Sequence, residues 1–260
     1  MDDYEYMIKE ERKNRILELA ESHEIISIDD IAQALEVSKA TVRRDIDELD
    51  AEGSVEKTRG GIMSVNHKLR IEPSLRMRSS MNVEEKARMA EAARKYIGDN
   101  EYVVFDAGTT IRELAKRIRG DRRLTAVTYD LLTAVELAKR PQMELLMIGG
   151  FLRKTYYSTY GFFAENMLRK FRADKAFLSA DAIDMEQGIM SYTPDDIQIK
   201  QLIVESAAEV ILMCDHSKFD TKAFLNICDL KKVSRVITGR ELSGDIVERL
   251  CAMGIEVEQV

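Results

Sequence analysis

The sequence predicts an α/β protein, with a small helical domain at its N-terminus and a larger domain that contains a mainly parallel sheet. Two patterns support this prediction. The first 65 residues have the spacing of three short helices and a hairpin, and from residue 101 onward apolar runs alternate with amphipathic segments. The 260 residues suffice for two modest domains. We place these domains at 1–65 and 83–260, joined by a linker at 66–82.

The composition predicts a soluble, cytoplasmic protein without a cofactor or a metal. No apolar run reaches the roughly 18 residues that span a bilayer, and the acidic start lacks the features of a signal peptide. The three cysteines lie far from one another, the three histidines are scattered, and neither set has metal-ligand spacing. We therefore expect all three cysteines to be reduced packing residues. The net charge of −7 argues against non-specific binding to nucleic acid, so any contact with DNA must rest on local charge.

Three helices are predicted in the first domain. An apolar stripe indicates the first helix at 8–22. Ser27 precedes the second helix and Ser38 precedes the third, and serine is a favoured N-cap residue because its hydroxyl accepts a hydrogen bond from a free backbone N–H. The third helix is predicted at 39–52, ending at Gly53.

The third helix has the character of a DNA recognition helix. Val42, Ile46 and Leu49 share one face, which we expect to be buried. Arg44 then points away from the core, with Arg43 beside it, and the acidic residues follow only later in the helix. A recognition helix enters the major groove with its N-terminal part first, so its positive end would meet the DNA.

A hairpin is predicted directly after this helix, with strands at 54–57 and 62–65 around a Gly-Gly turn. Two cations on such a wing suit contacts with phosphates. The segment 1–65 nevertheless carries 9 basic and 17 acidic residues, which favours the alternative of a helical module that contacts only protein. The residues predicted to contact DNA are Ser38, Lys39, Thr41, Arg43, Arg44, Lys57, Arg59 and Gly60.

The segment VSKATVRRDIDELDAEG, followed by KTRGG, resembles the DNA-binding signature of the DeoR/GlpR family of bacterial transcription regulators. This resemblance implies a winged helix-turn-helix domain that binds operator DNA. The family often has histidine before the two glycines, whereas this chain has Arg59, which can still contact a phosphate.

A parallel sheet is predicted in the second domain, because continuous apolar strands alternate there with amphipathic helices. A helix at 83–97, capped by Asn82, precedes the sheet. The predicted strands are 102–106, 124–128, 144–148, 175–180, 209–215 and 234–238, and the predicted helices between them are 109–119, 130–139, 161–171, 195–207 and 243–251. In such sheets ligands bind at the carboxyl ends of the strands.

Small, hydroxyl, acidic and cationic groups follow these predicted strands. Gly108 would let a ligand approach the backbone, and Thr109 and Thr110 would add hydroxyls and the free N–H groups of a helix start, which favour an anion. For any one of these residues a turn or a helix cap is the alternative. The candidate effector residues are Asp106, Gly108, Thr109, Thr110, Thr128, Asp130, Gly149, Gly150, Arg153, Asp181, Lys200, Asp215 and Lys218.

The resemblance to the same family continues through this domain. It rests on DAGTT, the Val-Thr before Tyr129, the Gly-Gly before Arg153, Gly161, and Asp-x-Ser-Lys-Phe at 215–219. It implies a domain that resembles sugar-phosphate isomerases, binds a phosphorylated sugar or a similar metabolite, and forms a homo-oligomer, a dimer or a tetramer. Two positions depart from the family pattern: Tyr129 replaces an asparagine, and Gly239 replaces an aspartate after Thr238.

An enzyme such as a ribose-5-phosphate isomerase is the rival interpretation. Those enzymes resemble this domain in the phosphate turn, but they also carry a glycine-rich loop that leads to a catalytic glutamate. The corresponding region here, TPDDIQIKQLIVES, has no run of glycines and places Lys200 and Glu205 on a predicted helix. Asp215, His216 and Ser217 do not form a triad, because neighbours at a strand end point in opposite directions. We therefore expect a regulator, a repressor of a carbohydrate operon that its ligand relieves, with activation and ligand-assisted repression as alternatives.

Overall fold

The computed structural model describes residues 8–23, 25–52, 54–64 and 72–260. The chain divides into two compact units, Met1–Pro73 and Ser74–Val260, and each is described by itself. The predicted helix end at Gly53 lies outside the described residues, as does part of the predicted linker.

The N-terminal unit contains three helices and a hairpin. Their bounds are α1 Lys9–Ser22, α2 Ile28–Ala34, α3 Lys39–Ala51, β1 Val55–Thr58 and β2 Gly61–Ser64. Both predicted serine caps are confirmed: the hydroxyl of Ser27 accepts a hydrogen bond from the N–H of Asp30, and that of Ser38 from the N–H of Thr41. The two strands pair antiparallel.

The core of this unit joins the helices to the hairpin. Val42, Ile46 and Leu49 of α3 are buried together, as their spacing predicted. Ile26, before α2, pairs antiparallel with Ile62 of β2. This pairing brings the chain so close to Gly61 that a Cβ atom there would lie 1.9 Å from the carbonyl oxygen of Ile26, so only glycine fits.

The larger unit is built on a seven-stranded, all-parallel sheet. The strands of the unit are β3 Tyr102–Phe105, β4 Thr125–Thr128, β5 Glu144–Met147, β6 Phe151–Arg153, β7 Ser158–Tyr160, β8 Ala173–Leu178, β9 Ala182–Asp184, β10 Gly188–Ser191, β11 Ala207–Met213, β12 Leu225–Cys228, β13 Arg235–Thr238 and β14 Glu256–Gln259. The order in the large sheet is β14-β13-β11-β8-β3-β4-β5, and each neighbouring pair is parallel. β6 and β7 form an antiparallel hairpin, and β12, β10 and β9 form a small antiparallel sheet.

Helices cover both faces of the large sheet, as predicted. The helices of this unit are α4 Leu75–Ser80, α5 Val83–Ala93, α6 Thr109–Arg117, α7 Leu131–Leu137, α8 Phe162–Leu168, α9 Pro194–Ser206 and α10 Gly244–Ala252. Val104 packs in a core shared with α8, α9 and α10, whereas its neighbours Val103 and Phe105 pack in a second core with α5 and α6. Across the described ranges, no helix is both long enough and apolar enough to cross a membrane.

Three predictions need correction. The predicted linker at 66–82 contains α4, and the chain from Ser74 onward belongs to the larger unit. Asn82 does not cap α5 with its side chain; its backbone is left-handed, with φ of 49°. Cys251 is exposed and is no packing residue, although all three cysteines are free thiols.

Candidate DNA-binding surface and effector site

Two acidic residues of α3, Asp45 and Glu48, are held by cations of α1. Arg12 binds the buried carboxylate of Asp45 through two hydrogen bonds, of 2.5 Å from Nε and 3.1 Å from Nη2. Lys9 pairs with Glu48 at 2.6 Å. The acidic charge of this unit is therefore partly neutralised by ion pairs between α1 and α3.

The exposed surface of the N-terminal half of α3 is basic. Arg43 and Arg44 are exposed, and Arg59 is exposed in the hairpin turn. In the part of the chain that the structure describes, no carboxylate lies within ion-pair distance of these three guanidinium groups. They are therefore available to phosphates or to base edges.

The other predicted DNA-contacting residues have protein partners. Lys39 pairs with Asp29 at 2.8 Å. Lys57 lies 2.9 Å from Asp47 and 3.0 Å from Asp50, so it links the hairpin to the acidic end of α3. Ser38 and Thr41 bind each other at 2.9 Å between their hydroxyls, and the N–H of Gly60 lies 3.4 Å from the hydroxyl of Thr58 in the turn between β1 and β2.

The topology of the large sheet indicates where a ligand is expected to bind. From β3 the chain continues outward to β4 and β5, then returns to β8 beside β3 and continues in the other direction to β11, β13 and β14. The order reverses between β3 and β8, and sheets of this kind bind ligands at the carboxyl ends of the strands at such a point. Asp106 directly follows β3, and Ser179 directly follows β8.

Asp106 is fully buried at the centre of a polar network. One of its oxygens accepts hydrogen bonds from the N–H and the hydroxyl of Ser179, at 2.8 and 2.9 Å, and from the ammonium of Lys200. The other accepts from the hydroxyl of Tyr129 at 2.6 Å. Burial, followed by the charge of Asp106, raises the pKa of Tyr129 well above its ordinary value, so this phenol stays neutral and acts as a donor.

Lys200, which projects from α9, completes the network. Its ammonium also donates to the carbonyl oxygen of Ser179 at 3.0 Å, and the side chain is almost entirely buried. Two predicted site residues, Asp106 and Lys200, therefore bind each other. Their pair fixes the ends of β3 and β8 relative to α9.

The turn at Gly108 leads directly into α6. Its φ of 142° suits glycine, and a Cβ atom there would lie 2.9 Å from the hydroxyl oxygen of Ser179. No side chain caps α6, and the first N–H groups of any helix have no acceptor within it. Thr109 and Thr110 are the first two residues of this helix. The helix start is therefore able to donate to an anion.

α4 lies against this helix start. The carbonyl oxygen of Arg78 is 3.5 Å from the hydroxyl of Thr109 and accepts a hydrogen bond from the ammonium of Lys86 at 2.7 Å. The hydroxyl of Ser79 accepts from Arg112 of α6 at 3.3 Å. Burial lowers the pKa of Lys86. α4, the first helix after the boundary between the units, thus touches the predicted phosphate-binding turn.

Two arginines flank one aromatic ring beside the site. The guanidinium carbons of Arg78 and Arg153 lie 5.7 and 4.5 Å from the ring centroid of Tyr156. Arg78 also pairs with Asp181, and Arg153 pairs with Asp196 of α9 at 2.9 Å. Both predicted residues, Arg153 and Asp181, are therefore already engaged in ion pairs.

A second polar group lies at the carboxyl end of β11. Asp215 accepts hydrogen bonds from the amide of Asn82 at 2.7 Å and from the hydroxyl of Ser217. Burial opposes ionisation of Asp215, but the charge of Lys218, with these hydrogen bonds, outweighs burial and lowers its pKa. His216 instead bonds to Glu85 of α5, and its Nδ1 lies 2.8 Å from Oε2 of that carboxylate. Ser217 therefore bonds to Asp215 whereas His216 bonds to Glu85, and no triad forms among the three neighbours.

Asp130 caps α7 from a buried position. Its carboxylate accepts a hydrogen bond from the N–H of Thr133, and its own N–H lies 3.2 Å from the hydroxyl of Thr128. Burial raises the pKa of Asp130 to about 6. Thr128 and Asp130 therefore have clear roles in the turn between β4 and α7.

The predicted pair Gly149-Gly150 directly precedes the hairpin of β6 and β7. A Cβ atom at Gly150 would lie 2.5 Å from the carbonyl oxygen of Tyr160, so packing of the hairpin requires glycine there. Gly149 faces open space. The effector role of both residues stays a prediction.

Several residues of the site were missed in the sequence. Glu85 and Lys86 share the buried face of α5 with Met89, Ala90 and Ala93, so helical periodicity alone could have indicated that these charges are buried. Arg78 gave no such signal, because the segment around it is polar and aperiodic.

One group of possible metal ligands in the described part of this unit is formed by Glu85, Asp215 and His216, whose ligand atoms lie within 4.8 Å of one another. Glu85 already accepts hydrogen bonds from the N–H groups of His216 and Gly239. Because these groups already bind one another or nearby donors, the cluster fits a structural role as well as it fits a metal.

Both departures from the family pattern have a physical explanation. Tyr129 is 1% exposed, and its hydroxyl completes the coordination of Asp106. At Gly239 a Cβ atom would lie 2.3 Å from a carboxylate oxygen of Glu85. An aspartate there would clash with Glu85 and repel it, so the small residue accommodates the buried carboxylate.

Comparison with protein families gives two matches, one on each side of the boundary between the two units. Residues 12–68 match the DeoR-like helix-turn-helix domain, and residues 81–240 match the DeoR C terminal sensor domain.

Comparison with solved structures gives partial matches at low identity. Ribose 5-phosphate isomerase A from Methanocaldococcus jannaschii is 15% identical, with a TM-score of 0.40, over 53% of this chain and 55% of that one. A transcriptional regulator from Streptococcus pneumoniae TIGR4 is 10% identical, with a TM-score of 0.41, over 65% of this chain and 86% of that one.

Relatives of known description match over nearly the full length. The HTH-type transcriptional regulator GlpR of Haloferax volcanii is 33% identical over 96% of this chain and 98% of its own. A putative aga operon transcriptional repressor of Escherichia coli O157:H7 is 30% identical over 95% and 92%, and the HTH-type transcriptional repressor GlcR of Bacillus subtilis is 29% identical over 96% of each. With both of its domains matched in this order, the chain belongs to the DeoR/GlpR family of DNA-binding transcriptional regulators.

Proposed function

We propose that this regulator represses an operon of carbohydrate metabolism and that a phosphorylated sugar, bound at the carboxyl edge of the parallel sheet, relieves the repression. The observation that carries this proposal is the turn at Gly108, which presents an uncapped helix start at the switch point of the sheet. We further propose that the protein acts as a homo-oligomer, because operators are commonly read as two half-sites by symmetric pairs of helix-turn-helix domains.

The phosphate would bind at the start of α6. Backbone N–H groups and the helix dipole favour an anion there, and the hydroxyls of Thr109 and Thr110 add donors. Lys218, at the end of β11, and Arg153, in the hairpin, would supply positive charge. Asp181 would accept hydrogen bonds from sugar hydroxyls.

Binding at this turn would reach α4 directly. The carbonyl oxygen of Arg78 lies 3.5 Å from the hydroxyl of Thr109, and its guanidinium pairs with Asp181. An effector that takes over either contact changes the position of α4. Since α4 begins one residue after Ser74, where the larger unit starts, its displacement would alter the DNA-binding unit through the chain. An effector that favours one arrangement over another shifts the balance between them.

We propose that the site performs no catalysis. An isomerase needs a free base close to the bound sugar. Glu205, the glutamate of the region that corresponds to the catalytic loop, is exposed on α9, and Lys200 is held by Asp106 and Ser179. Neither residue is placed to exchange a proton with a substrate at Gly108.

The test is an anisotropy titration of the protein on DNA from upstream of its own gene, at fixed salt. A panel of pentose and hexose phosphates is added, with the unphosphorylated sugars as the matched panel. We expect one phosphate ester to weaken specific binding and its parent sugar to have no effect. A phosphate ester that is turned over, with no effect on DNA binding, would contradict the sensor role.

Variants then test the site. Thr110→Ala removes a hydroxyl at the start of α6, and we expect it to raise the effector concentration for half-maximal release by about 10-fold or more, as for hydrogen bonds to charged groups. The control is Thr125→Ala, because Thr125 is the first residue of β4 and lies at the amino edge of the sheet, away from the carboxyl edge where the effector is proposed to bind. An unchanged effector response in Thr110→Ala would exclude this turn as the phosphate site.

A further inference from the structure

An exposed aromatic cluster lies on the hairpin and the start of α8. Phe151, Phe162 and Phe163 are 60%, 69% and 62% exposed. The ring centroids of Phe162 and Phe163 lie 5.7 Å apart, those of Phe163 and Phe151 lie 6.4 Å apart, and that of Tyr160 lies 6.1 Å from Phe151. We call these four side chains the aromatic face.

The aromatic face is large for a surface in contact with water. At this exposure its three phenylalanines present roughly 400 Å² of apolar area, given that a phenylalanine buries about 150–250 Å². Monomeric proteins rarely expose contiguous apolar patches of more than a few hundred Å². On each copy this patch supplies about half of the roughly 800 Å² per partner of a standard interface, and a polar rim of similar area around it would supply the rest.

The face also has the composition of an interface core. Its members are aromatic and uncharged, and the cores of interfaces are enriched in such residues and depleted of charges. Lys154 and Arg169 are exposed close by in the sequence, and they would form part of the rim.

We propose that the aromatic face is the surface through which two copies of this chain associate. A two-fold interface uses the same patch on both copies, and an uncharged patch meets itself without repulsion. The two-fold symmetry also matches the pair of half-sites that helix-turn-helix regulators read. This inference rests on the homo-oligomer of the proposed function but not on its effector.

The same hairpin connects this interface with the effector site. Phe151 and Arg153 are alternate residues of β6, and such residues share one face of a strand. Phe151 belongs to the aromatic face, whereas Arg153 pairs with Asp196 of α9. A ligand that draws Arg153 away from Asp196 would therefore act on the strand that carries the interface.

The test measures the mass of the full-length protein by sedimentation equilibrium, without DNA or effector, over a wide range of concentrations. The variant is Phe162→Glu, which places a charge within the face. Because Phe162 is the first residue of α8, a glutamate there suits the helix start, and the fold is expected to persist. The control is Phe224→Glu, since Phe224 is also 69% exposed but lies outside the face.

We expect the parent and the control to self-associate with equal affinity and Phe162→Glu to raise the dissociation constant by roughly 100-fold or more, as for the loss of an interface hot spot on both copies. A second variant, Phe163→Glu, should act alike, and circular dichroism checks that both remain folded. If the parent self-associates and both folded variants have the same dissociation constant as the parent, the assignment of the face is wrong, although the protein is still a homo-oligomer. A monomeric parent would overturn both, and a monomer that binds vesicles or another protein through this face would identify a different occupant.

Discussion

In the N-terminal unit, the guanidinium groups of Arg43 and Arg44 are exposed and have no carboxylate within ion-pair distance among the described residues. In the larger unit, Lys200 and Arg153 already bind Asp106 and Asp196. The two units therefore offer cations to their ligands in different ways. The arginines proposed to contact DNA present free charge, whereas cations of the proposed effector site already bind carboxylates.

This difference has a physical consequence. DNA gains affinity from many open contacts as counterions are released, so the surface needs no rearrangement. An effector must instead share or displace existing ion pairs, and each displaced pair moves the element that carries it. A site with pre-existing pairs is suited to coupling ligand binding to a change of structure.

The largest expected effect comes from breaking the buried pair at the centre of the effector site. Lys200→Met leaves the carboxylate of Asp106 buried without its cation, which costs about 3–5 kcal/mol of the free energy of unfolding. Urea denaturation measures this loss. Lys231→Met, at an exposed lysine, is the control and should cost far less.

A double-mutant cycle separates the pair from simple loss of packing. The double variant Asp106→Asn, Lys200→Met should lose less free energy of unfolding than the sum of the losses in the two single variants, because it leaves neither charge buried without its partner. Additive losses would mean that the pair contributes no more than its separate side chains, and the contrast between the two units would weaken.

The second effect concerns Asp130, an acid of the same region without a described ion pair. Its pKa of about 6 is raised, so folding favours the protonated form. This contribution is complete below a pH of about 4, the ordinary pKa of aspartate, and is lost as the pH rises through about 6. Asp130→Asn keeps the cap of α7, since asparagine is also a favoured N-cap.

We therefore expect Asp130→Asn to gain stability over the parent as the pH rises, by about 3 kcal/mol once the pH exceeds 7, given roughly 1.4 kcal/mol for each pKa unit. The measurement is the difference in the free energy of unfolding between variant and parent from pH 4 to pH 8, which removes the contributions of all other groups. A difference that stays constant with pH would show that the carboxylate is not destabilised by burial.

The sequence predicted most clearly what depends on local chemistry. Ser27 and Ser38 were recognised as caps because a hydroxyl before an apolar period suits a free N–H. The buried face of α3 follows from the spacing of Val42, Ile46 and Leu49. Asp106 and Gly108 were identified because they follow an apolar strand.

Features that depend on long-range contacts were missed. α4 has six residues in a polar segment, and it is held by Lys86 and Arg112 rather than by its own periodicity. The hairpin of β6 and β7 has strands of three residues, too short for an alternating pattern. The sequence also could not show that Lys200 binds Asp106, which lies 94 positions away.

The smallest expected effect distinguishes free from engaged cations on the DNA-contacting surface. Arg44→Ala should lose about 1–3 kcal/mol of operator affinity if it contacts a base. Lys57→Ala should lose less than about 1 kcal/mol, the usual worth of an exposed ion pair, because its ammonium is already held by Asp47 and Asp50. Anisotropy titrations at several salt concentrations measure both, with Arg119→Ala as the control for a lost surface charge. Equal losses for Arg44→Ala and Lys57→Ala would mean that DNA draws Lys57 away from its partners, and that this surface also rearranges when it binds.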